Sequence, residues 1–255
     1  MLAQILGRRC RPLGSALGPG AAQAGASRRV PRLQRTETHP NPRRFGAQTS
    51  IVSEMTDSKT SDRPGKRDRL VAGARDTIYR QGVEATTIAE IAEAADVPVG
   101  NVYYYFKTKD ELVTAAIDSY AHENRELLSR LEQQHRTPRA RLKMLVQLLV
   151  AQSDQVALYG CPRGSLCSEL DKHDSDLARA CRELMLTPVV WMEQQFKAMG
   201  RRDARDLAFA LLASYEGMAL LANTFRDPDL MIREGRRLER WIDSLARDSK
   251  VAPTG

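Results

Sequence analysis

The chain is predicted to be all-α, on three observations. From Lys66 onward apolar residues recur at three- and four-residue spacing, threonine and aspartate caps punctuate that pattern, and no segment alternates with period two between turn signals. With 255 residues, 42% of them apolar, it is long enough for two modest cores. The pattern divides it into an extension over 1–64, a compact unit of short helices over 65–112 and a larger helical domain over 113–248.

The extension has no helical or strand period and is rich in Gly, Pro, Ala, Ser and Arg, so it is expected to be disordered. Two origins fit it. An Arg-rich, acid-poor leader is the composition of an organelle transit peptide, whereas an overextended start makes Met55 the true first residue. Met55 is favoured, because the polar run MTDSKTSDRPGKRDRL after it leads straight into the first helix. Residues 1–54 hold nine arginines against Glu37 and Glu54, which leaves 30 basic and 30 acidic side chains beyond them. The net charge of +7 therefore describes the leader, not the partner of the folded part.

No apolar run approaches the roughly 18 to 20 residues of a membrane span, so no membrane association is expected. Cysteines 10, 161, 167 and 181 form no CxxC and lack a matching histidine spacing. No metal or other cofactor is expected, and the reducing cytoplasm is the fitting compartment.

The first helix carries Leu70, Ala74 and Ile78 on one face and ends at Gly82, a residue that accepts positive φ. Thr87 with Glu90 is a capping box that opens a second helix, with Ile88, Ile91, Ala92 and Ala95 as its apolar residues. A third short helix turns Val102 and Phe106 inward. Thr108 with Glu111 starts a fourth, running to about 134. Thr137-Pro138 and Asp227-Pro228 mark two more starts, since proline at the first helical position loses no hydrogen bond. Helices are expected at 138–156, 164–171, 174–198, 202–225 and 228–247, with Pro188 kinking or splitting its own.

Helices under ten residues are not stable alone, so the second and third must pack on the first and fourth as a helix-turn-helix. Tyr103, Tyr104, Tyr105 and Phe106 are consecutive and, at about 100° per residue, point in all directions. Phe106 belongs in the core, and Tyr105 is open between core and surface. Tyr103 and Tyr104 are read as outward, where a ring can rest on sugar or a thymine methyl and a hydroxyl can reach phosphate. Val99, Gly100 and Asn101 stand at the helix end that enters a major groove first, with Asn101 able to read a base edge. Phosphates would be held by helix N-termini, Thr86, Thr87 and Lys109, aided by an arm of Lys59, Arg63, Lys66, Arg67 and Arg69. Glu90, Glu93 and Asp96 offset Lys107 and Lys109, so no charge patch alone would bind DNA.

The segment from 66 to about 115 resembles the DNA-binding domain of the TetR family of transcriptional regulators. Leu70, Val71, Ala74, Gly82, Thr87, Ile91, Ala92, Ala95, Val97, Gly100, Val102, Tyr103, Phe106, Lys109 and Leu112 carry the likeness. Asp96 departs from the usual turn glycine and Pro98 from the usual capping serine. The resemblance implies a homodimer on double-stranded operator DNA, contacts from Thr87, Asn101, Tyr103, Tyr104 and Lys109, and a variable ligand-binding and dimerisation domain behind them. It implies no enzyme.

In that domain the wide apolar faces of 202–225 and 228–247 are expected to pack on a twin about a two-fold axis. A pocket for a small-molecule effector is expected among Met144, Leu148, Trp191, Phe196 and Tyr215, with Glu216 or His173 as polar anchor. Gly160-Cys161-Pro162-Arg163-Gly164 is similar to a Gly-Cys-Pro-x-Gly segment in some family members, several of which respond to electrophiles or oxidants through a cysteine. Arg163 would lower the pKa of Cys161 and make it, with Cys167 second, a candidate sensor. The competing reading is a small, well-packed turn residue, which is how Cys181, beside Leu177, Leu184 and Met185, is read outright. The function expected is a ligand- or electrophile-released repressor, and its alternative is a thiol-based redox protein using Cys161 and Cys167.

Overall fold

A computed structural model describes residues 64–172 and 175–248, with side chains of the last helix described to Leu245. The extension, Met55, Lys59, Arg63 and His173 lie outside the described residues. Within them the chain is ten α-helices without a strand. They are α1 (Lys66–Ala85), α2 (Ile88–Ala94), α3 (Val99–Tyr105), α4 (Lys109–Gln134), α5 (Pro138–Val150), α6 (Ser153–Tyr159), α7 (Pro162–Leu170), α8 (Asp176–Ala198), α9 (Ala204–Phe225) and α10 (Pro228–Asp248).

Local chemistry sets most of these ends. Gly82 adopts φ 84°, breaking the helical path of α1 as its lack of a Cβ allows. Thr87, Thr108, Thr137 and Ser175 each accept a backbone N–H three residues on, and the Asp227 carboxylate does the same for Leu230. At Thr108 the box is incomplete, because Glu111 accepts the N–H of Lys107.

Two helix expectations are corrected. The helix expected over 138–156 breaks at Ala151–Gln152 into α5 and α6, a turn with neither glycine nor proline to announce it. Pro188 does not split α8, whose backbone stays helical through it while the Thr187 hydroxyl bonds the Glu183 carbonyl. Packing of α8 against α4, α5, α7 and α9 supplies the burial that offsets the lost N–H.

One core joins α1–α4 with α7 and the start of α8, through Leu70, Ile91, Phe106, Leu112, Leu166 and Leu184. Leu131, Leu142, Trp191, Phe196 and Ile242 build a second, and Val156, Tyr215, Met218 and Met231 a third. α4 contributes to the first two, Leu112 and Val113 near its start and Leu128 and Leu131 near its end. Helix α9 has the length and hydropathy of a membrane span, which the expectation from broken apolar runs understated. Here it packs on α6, α8 and α10, burying Ala208, Leu211, Tyr215 and Ala222.

Candidate nucleic-acid interface and effector pocket

Helices α2 and α3 have seven residues each, so their orientation comes from caps and packing. The capping box is complete: Glu90 N–H donates to Thr87 Oγ1 at 3.2 Å, and Thr87 N–H to Glu90 Oε2 at 2.8 Å. The Thr87 hydroxyl, which also donates to Glu90 Oε2 at 2.8 Å, and then the Thr87 N–H and the Gln81 amide hold the Glu90 carboxyl below its ordinary range. The turn passes through Asp96 at φ 51°, the left-handed conformation aspartate tolerates better than most residues. From α1, Arg69 donates to the Ala95 and Asp96 carbonyls at 2.9 and 3.0 Å and fixes that turn.

Val102 and Phe106 seat α3 in the core and turn its other face out. Tyr104 is 80% exposed, Tyr103 48% and Val99 43%, and Asn101 is half-buried beside them. A Cβ on Gly100 would meet nothing within 4 Å, so the packing of this chain does not require that glycine. Thr87 is exposed at the start of α2, its hydroxyl held between the Glu90 N–H and the Glu90 carboxylate. Tyr105 is half-buried against the core, an edge-on neighbour of Tyr104.

Behind this unit a cavity of about 40 Å³ lies where α4, α5, α7, α8, α9 and α10 converge. Leu145, Leu211 and the thioethers of Met185, Met192 and Met218 line it, with Asn124, Arg163, Tyr215 and Glu216 as polar residues. Arg163 donates to Asn124 Oδ1 at 3.1 Å, while Asn124 Nδ2 is buried without a partner. Gly164 lets Glu216 reach in, since a Cβ there would overlap its carboxylate. Burial pushes the Glu216 carboxyl up, against the pull of the Cys161 thiol and the Arg163 charge.

Residues 70–116 match the family model described as bacterial regulatory proteins, tetR family. That segment is a TetR-family DNA-binding domain. It is 25% identical over 198 residues to the helix-turn-helix-type transcriptional regulator TtgR of Pseudomonas putida, covering 73% of this chain and 92% of that one. A transcriptional regulator of Lactococcus lactis subsp. lactis, from the lacX 3′ region, is 26% identical over 65% of this chain and 87% of its own. The crystal structure of SCO4454, a TetR-family regulator of Streptomyces coelicolor, shares the fold at TM-score 0.63 and 18% identity, over 72% and 95% of the two chains. With that domain and regulator relatives matching over most of its length, the chain is a DNA-binding transcriptional regulator.

Its expected contacts divide. Thr87, Val99, Gly100, Asn101, Tyr103 and Tyr104 share the outward side of the reader unit. Thr86 does not, being 1% exposed with its hydroxyl donated to the Gly82 carbonyl at 2.6 Å. Arg69 is likewise engaged with the turn instead of free for phosphate, and the Arg67 guanidinium lies over the Phe106 ring. Lys109 sits at the start of α4 with Nζ 3.2 Å from the Glu84 carbonyl, tying α4 to the end of α1. Lys107, read from the sequence only as a charge offset by nearby acids, donates to the Tyr103 carbonyl at 2.6 Å.

Of the expected pocket residues, Tyr215 and Glu216 line the cavity and Trp191, Phe196, Met144 and Leu148 do not. The reason is helical phase: Met185, Pro188 and Met192 face the space, and Trp191, 100° round from Met192, turns to bond Glu132 at 2.9 Å. Asn124 was missed because a polar residue inside an amphipathic helix reads as surface, and Arg163 was read only as the neighbour of Cys161.

The expected lowering of the Cys161 pKa is also corrected. Its thiol is 4% exposed, accepts the Gly164 N–H as the N-cap of α7 and donates to Glu216 Oε1 at 3.3 Å. Burial, then the Glu216 charge, pushes it up; Arg163 and the Gly164 N–H oppose them. Cys167 is buried on the other side of α7, where its bond to Cys181 and its burial also push it up. The two thiols have separate partners, and neither has the exposure a thiol-based redox site needs.

Proposed function

We propose that the protein is a ligand-released repressor that binds a pseudo-palindromic operator as a homodimer. The observation that carries DNA reading is the outward face of α3, where Val99, Asn101, Tyr103 and Tyr104 stand outside the core beside a braced turn while Val102 anchors the helix. With Tyr103 and Tyr104 on sugar and phosphate, Asn101 is placed to meet a base edge, and Gly100 lets the helix come close.

A dimer is supported by α8 and α9. Phe209, Leu220, Leu221 and Phe225 are exposed on α9, and Leu186 and Val190 on α8. The face of α9 from Phe209 to Phe225 carries no exposed charge, which suits burial against a second copy. The pairing of 202–225 with 228–247 shifts accordingly, because Met231, Ile242 and Leu245 of α10 turn inward.

Release by a ligand is supported by cavity size and by α4. Space of about 40 Å³ takes roughly three water molecules, so a larger effector enters only by moving the surrounding helices. Asn124, Leu127 and Leu128 of α4 line that cavity, and Leu112, Val113 and Ala116 of α4 seat the reader unit. A ligand that binds better when α4 is displaced shifts the population toward reader positions mismatched to the operator. The buried, protonated thiols favour ligand over electrophile as the signal. DNase footprinting of the DNA flanking the gene tests this: two protected half-sites about one helical turn apart, or a multiple, are expected. No saturable, sequence-dependent protection would exclude it.

A further inference from the structure

Asn124 is 5% exposed, lines the cavity and bonds only through its oxygen. Its Nδ2 carries N–H donors with no acceptor in reach, and a buried unmet donor costs free energy unless something enters to accept from it. The atom that completes it must be an acceptor. Charge narrows the class: Arg163 and Glu216 bring opposite charges to the same apolar space. An anionic ligand would face the Glu216 carboxylate and a cationic one the Arg163 guanidinium, where low dielectric makes either clash expensive. Apart from the Tyr215 phenol the rest of the lining is apolar, and its three methionines can repack around varied shapes.

We propose that this cavity takes an uncharged, largely apolar molecule that presents a single carbonyl oxygen to the Asn124 amide. The proposal rests on the effector-pocket reading above and adds the chemistry of the ligand. Arg163 is the positioning partner, holding the Asn124 oxygen so that the amide presents nitrogen to the cavity.

Calorimetric titration of the full chain with four probes of one size tests it: acetophenone, ethylbenzene, benzoate and the ammonium form of 1-phenylethylamine. Acetophenone is expected to bind about tenfold or more tightly than the other three. Asn124→Leu is expected to bring the affinity of the ketone down to that of the hydrocarbon measured in the same variant. Should that variant not fold, Asn124→Asp keeps the size, offers only acceptors beside Arg163, and is expected to lose the ketone preference likewise. Equal binding of ethylbenzene, preference for benzoate or the ammonium, or a ketone preference that survives both variants overturns the proposal. Failure of all four to bind overturns it together with the effector-pocket reading. Ketone binding through Asn124 that leaves operator affinity unchanged upholds the ligand class and overturns only that reading.

Discussion

The carboxylate of Glu169, near the end of α7, accepts the backbone N–H groups of Val83 at 2.8 Å and Glu84 at 2.7 Å, just past the break at Gly82. The other end of α7 holds Cys161, Arg163 and Gly164 against Glu216 and the cavity. Tyr79 of α1 adds a second tie by donating to the Gly160 carbonyl at 2.9 Å. One nine-residue helix thus touches the cavity with one end and the reader unit with the other.

Glu169→Ala is expected to cost about 1–2 kcal/mol in urea unfolding, since two N–H groups lose a charged acceptor. It is also expected to weaken the effect of ligand on operator affinity more than operator affinity itself. Unchanged coupling in fluorescence anisotropy titrations would leave α7 as mere packing.

Glu216 provides a pH signature. Its folded pKa lies above that of an unfolded glutamate, so the folded chain gives up that proton less readily than the unfolded one. Stability from this group is fully present below the unfolded pKa and is lost as pH rises past it. Glu216→Gln is therefore expected to melt higher than the parent at neutral pH, with the gap closing toward pH 4. A gap independent of pH would contradict the burial of that charge.

Leu220 is 65% exposed on the uncharged face of α9. Leu220→Glu is expected to change the stability of the single chain by no more than about 0.5 kcal/mol, yet convert dimer to monomer in sedimentation velocity. A dimer that survives it would move the interface elsewhere.

Cys161 and Cys167 are buried and held protonated. In the folded chain at pH 7.5, iodoacetamide is expected to label both at least about tenfold more slowly than in urea, read by peptide mass spectrometry. Rapid labelling of Cys161 in the native state would restore the electrophile sensor.

The helices were legible wherever their signals are local. Thr87 with Glu90, Thr137 with Pro138 and Asp227 with Pro228 act within one turn, so the sequence displays both partners. The split expected at Pro188 did not occur because the rule that breaks a helix at proline ignores packing against neighbouring helices. Ala151–Gln152 gave no sign, for that turn contains neither glycine nor proline. The reader face was legible because four consecutive aromatics cannot all be buried on one short helix. Its supporting charges were not: Arg69 looks like a phosphate contact until the Ala95 carbonyl, 26 residues on, is seen to claim it. The cavity was half legible for the same reason. Tyr215 and Glu216 stand out as aromatic and acid in an apolar helix, whereas Asn124 and Arg163 matter only through each other.

The outward face of α3 is tested most directly by fluorescence anisotropy on the footprinted operator at fixed moderate salt, comparing the parent with Asn101→Ala and Tyr104→Ala. Each variant is expected to lose about tenfold or more in operator affinity, on the order of 1–3 kcal/mol for a base or phosphate contact, with an unchanged melting temperature. Parent-like affinity in both would contradict the placement of DNA on this helix.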